Sequence, residues 1–110
     1  MVGTSNEEML AAVSAVREMN GGLVAVEGDR VLASLPLPVA GLLSNGHMGE
    51  VAVGIKECID AARSLGCDTD DPFMTLSFLS LPVIPELKLT DRGLVDTVAF
   101  KLVSLFLQND

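Results

Sequence analysis

Residues 73–81 read Phe-Met-Thr-Leu-Ser-Phe-Leu-Ser-Leu, and Pro82 and Pro85 flank the Val-Ile that follows. No other stretch limits the fold of this chain as tightly. Proline lacks the amide hydrogen that a sheet ladder needs, so the apolar run must end there. The run reads as a central strand over 73–81 and as the most buried segment of the protein. Residues 86–96 mix charge with Leu87, Leu89 and Leu94, a pattern expected to run half-exposed over a surface. The other elements should pack around the strand.

Ser5-Asn6-Glu7-Glu8 has the form of a capping box, in which Ser5 and Glu8 satisfy each other's backbone amides. Met9, Ala12, Val13 and Val16 then recur at helical spacing, predicting a first helix over about 6–19 that Gly21 and Gly22 terminate. Residues 23–35 predict a hairpin about Gly28-Asp29, with Val26 facing Val31 and Val24 facing Ala33. Both faces of that hairpin are apolar. Pro36 and Pro38 close it. Met48, Val51, Ala52, Ile55, Cys58, Ile59, Ala62 and Leu65 mark a second helix over about 48–65, capped by Gly66. Gly49 and Gly54 lower its helix propensity by about 1 kcal/mol each. Residues 101–107 read as a last strand, and residues 108–110 as a frayed end. The sum is one α+β domain over residues 1–110, an antiparallel or mixed sheet of about four strands packed with two long helices.

The chemistry of the side chains excludes more than it assigns. The net charge of -8 repels phosphate backbones, and the lack of Trp and Tyr removes most base-stacking surfaces, so nucleic acid is not an expected partner. No apolar run approaches the roughly 20 residues needed to span a bilayer. The polar, acidic start and the unmatched Cys58 and Cys67 point to a reducing, cytoplasmic setting. His47 is the lone histidine and reads as a loop or cap residue; with two separated cysteines it cannot build a histidine-rich metal centre. Asp68, Asp70 and Asp71 lack the glycine and distal glutamate of a calcium loop. Ser34, Ser77 and Ser80 have no base beside them in sequence. Glu86, Lys88, Asp91, Arg92 and Asp96 form the densest polar cluster, a solvated ion-pairing face or an edge turned toward a substrate or another domain. No catalytic or metal residue is assigned.

Two segments carry a resemblance. Leu35-Pro36-Leu37-Pro38-Val39-Ala40-Gly41-Leu42 is the first. Phe78-Leu79-Ser80-Leu81-Pro82-Val83-Ile84-Pro85-Glu86-Leu87-Lys88-Leu89-Thr90 is the second. Together with the Glu-Glu-Met helix start and the Gly-Gly before the hairpin, they resemble the C-terminal domain of bacterial and archaeal adenine deaminase. The likeness runs from about Gly3 to Leu107. It implies an amidohydrolase in which metal-activated water converts adenine to hypoxanthine and ammonia, with manganese or iron held on a catalytic barrel outside this region. It transfers no catalytic or metal ligand to these positions, and His47 inherits no role. The expectation is a non-catalytic C-terminal domain or fragment, inactive alone, whose partners are that barrel and further copies of itself. The alternative is a free-standing purine-binding, regulatory or oligomerisation module. The expected association is a dimer, or a larger closed oligomer, whose interface includes residues 23–35 or the edge beside them.

Overall fold

The computed structural model describes residues 1–106, with Ser80 described by its backbone alone. The chain forms two compact units, Met1–Pro72 and Phe73–Asp110. The class is α+β: three helices and two small antiparallel sheets among the described residues. The count of two helices and the single sheet of about four strands are corrected accordingly.

The first unit is α1 (Asn6–Glu18), the hairpin β1 (Gly22–Glu27) and β2 (Arg30–Pro36), and α2 (Met48–Ser64). Ser5 caps α1, its hydroxyl oxygen accepting the amide of Glu8 at 3.2 Å. The helix ends through Asn20 at φ 58°, and the amide of Gly21 returns to the carbonyl of Val16. Asn20 therefore takes the left-handed cap position expected of glycine, because its short side chain tolerates that region. Gly66 caps α2 as its residue type predicts, at φ 92°.

The hairpin forms about Gly28-Asp29, with Gly28 at φ 61°, where a two-residue turn needs glycine. Val26 pairs with Val31 as expected. Beyond them the register shifts by one residue, so Val24 faces Ser34 and Ala25 faces Ala33. Leu32 is the extra residue of a β-bulge, a feature that residue pattern alone does not announce. Both helices pack against the hairpin. The core side chains are Ala25, Leu35 and Cys58, the last 0% exposed. Val51, Gly54, Cys58, Ile59, Ala61 and Ala62 are the covered positions of α2, whereas Met48 is 88% exposed. The apolar stripe of α2 is thus broader than the surface that covers it.

The second unit overturns the central expectation. Residues 73–81 are no strand: α3 spans Pro72–Ser80, and Phe78 and Leu79 on it are exposed. The physical reason lies in residue type. The run holds one β-branched residue, Thr75, among Leu and Met, which favour helix. Pro72 is preorganised for a first helical turn. Ser77 donates to the carbonyl of Met74 at 2.7 Å, a bond along the helix that a strand would not offer. Pro82 then stops a helix as firmly as it would a strand, because it disfavours the helical region for Leu81. Beyond it, β3 (Leu87–Thr90), β4 (Gly93–Asp96) and β5 (Lys101–Val103) form an antiparallel meander. Asp91-Arg92 make the tight turn, with Gly93 at φ 124°. The last strand is shorter than expected; Leu107 and the end over 108–110 lie outside the described residues.

Candidate functional site

The predicted polar cluster is split by the meander. Asp96 accepts the amides of Val98 and Ala99 at 3.0 and 2.8 Å and so builds the turn into β5. Lys88 donates to the carbonyls of Pro85 and Leu87. The carbonyl of Glu86 accepts both the amide and the hydroxyl of Thr97, at 2.9 and 2.8 Å, and Thr97 is 3% exposed. These residues stabilise backbone. Asp91 and Arg92 instead line a shallow depression of about 360 Å³ with Thr90, Lys101, Val95 and Phe100. Lys101 was outside the cluster read from sequence. Its place follows from the β4–β5 ladder, which sets Lys101 opposite Asp96 and carries Phe100 in at φ 50°. Two cations, one carboxylate and an aromatic ring can hold a polar or anionic group. They offer no nucleophile with a base beside it.

The other candidates are scattered. His47 precedes the first turn of α2 without making a side-chain cap, and it is exposed. Asp70 lies 3.9 Å from Arg63 in an exposed loop, a weak surface pair. Ser34 is exposed on β2, Ser77 serves its own helix, and the side chain of Ser80 lies outside the described residues. Among the described residues no three His, Cys, Asp or Glu side chains converge on one point. This donor set does not fit a catalytic metal. Cys58 and Cys67 are free thiols, and burial, helped by the charge of Glu57, pushes the Cys58 thiol up, which keeps it protonated and inert.

One carboxylate does join distant parts of the first unit. Glu8 accepts from Thr4 at 2.6 Å, from Ser5 at 3.1 Å and from the amide of Gly28 at 3.1 Å, tying the start of α1 to the hairpin turn. The bond from Thr4 does most to hold its carboxyl below the usual value of 4.5, followed by those from Gly28 and Ser5. A lowered folded-state value means stability present above the unfolded value and lost as pH falls through the folded one. Glu8→Gln should therefore lower the melting temperature near neutral pH, and the gap should close as the pH falls through the lowered folded-state value of Glu8. Circular dichroism melts across that range check it; a constant gap would refute it.

A family model described as the adenine deaminase C-terminal domain matches residues 1–101. An adenine deaminase of Desulfatibacillum aliphaticivorans is 51% identical over 96% of this chain, and one of Methanothrix thermoacetophila 51% over 98%. One of Clostridium botulinum is 44% identical over 98%. The matched segment covers 18–19% of the length of these relatives. Among the described residues no helix is long and apolar enough to cross a membrane.

Proposed function

Since the chain belongs to the adenine deaminase C-terminal domain family, we propose that residues 1–110 serve as the non-catalytic C-terminal domain of a cytoplasmic adenine deaminase. The whole enzyme would hydrolyse adenine to hypoxanthine and ammonia with metal-activated water. The observation that carries this reading is the family match over residues 1–101, beside a donor set that does not converge among the described residues. A metal-bound hydroxide needs several ligands on one ion, so manganese or iron would be held by the catalytic part of the enzyme, the partner of this domain.

The isolated chain should release no ammonia from adenine with Mn²⁺ or Fe²⁺ added, while the Desulfatibacillum aliphaticivorans relative should. Metal-dependent turnover by the pure chain would defeat the reading. Calorimetry with adenine and hypoxanthine tests the alternative of a purine-binding module; tight binding by the chain would favour it.

A closed homo-oligomer is part of the proposal. Its support is a hairpin of two strands, each with one edge that pairs with no other strand among the described residues. Because α1 and α2 already pack on the hairpin, the edge rather than the face would be shared. Light scattering at micromolar concentration should give a dimer; a monodisperse monomer would remove that element.

A further inference from the structure

We draw no further inference here: the strongest candidate, the shallow depression beside the β3–β4 turn lined by Arg92, Phe100 and Lys101, belongs to the site already described, its charged side chains are exposed, and nothing in the structure shows what occupies it.

Discussion

Gly22→Ala is expected to destabilise the first unit by about 2–6 kcal/mol. Gly22 sits at φ 143°, and a Cβ built there would lie inside van der Waals contact of the Leu35 carbonyl oxygen. The unfavourable backbone region costs about 1–3 kcal/mol. The collision costs a further ~1–3, since the opposing atom belongs to the paired strand and cannot swing away. Total stabilities of small domains are about 5–15 kcal/mol, so this is a large share. Gly28→Ala is the control. Gly28 also has positive φ, but a Cβ there meets nothing within 4 Å, so only the left-handed cost of roughly 1–2 kcal/mol applies. With no Trp or Tyr in the chain, far-ultraviolet circular dichroism in urea is the natural measurement. Equal midpoints for the two variants would refute the argument from the Leu35 carbonyl.

The two glycines also show where sequence reasoning reached and where it stopped. Gly21-Gly22 announced the end of α1, yet their purpose is close backbone approach. Gly21 packs against Gly41 of the loop after β2, and Gly22 against β2 itself. Spacing along one segment cannot reveal an approach between two. Caps, the hairpin turn and α2 were legible because each is a local bargain among neighbours. The bulge at Leu32 depends on how two strands share a twist. The run over 73–81 misled because apolarity reports burial and not period; its Leu and Met content, and its single β-branched residue, were the signal for helix. The Leu-Lys-Leu-Thr alternation before Asp91-Arg92-Gly93 was a hairpin signal of the ordinary kind, hidden by treating the segment as a surface strap. The depression beside Arg92 followed from that hairpin, and Lys101 could enter it only once the β4–β5 pairing was known.

Leu35→Ala should cost about 2–4 kcal/mol, the range for removing a buried leucine when the site closes only in part. Leu35 is 9% exposed and meets α2 at Gly54, where an added Cβ would fall 2.8 Å from Leu35 Cδ1. The glycine once counted as a propensity penalty is thus the hole that admits this side chain. Gly54→Ala gains about 0.5–1 kcal/mol of helix preference and loses ~1–3 to overpacking, a net destabilisation. Gly49→Ala, with open space around it, should keep the gain of about 0.5–1 kcal/mol. In the double variant Leu35→Ala/Gly54→Ala the new methyl enters space that Leu35 has vacated. The two changes should therefore combine to a smaller loss than their sum, with coupling of about 1 kcal/mol or more. Urea midpoints for the four members of the cycle measure it directly. Strict additivity would mean that Leu35 and Gly54 do not share a packing site, and the assignment of the α2–hairpin seam would fail with it.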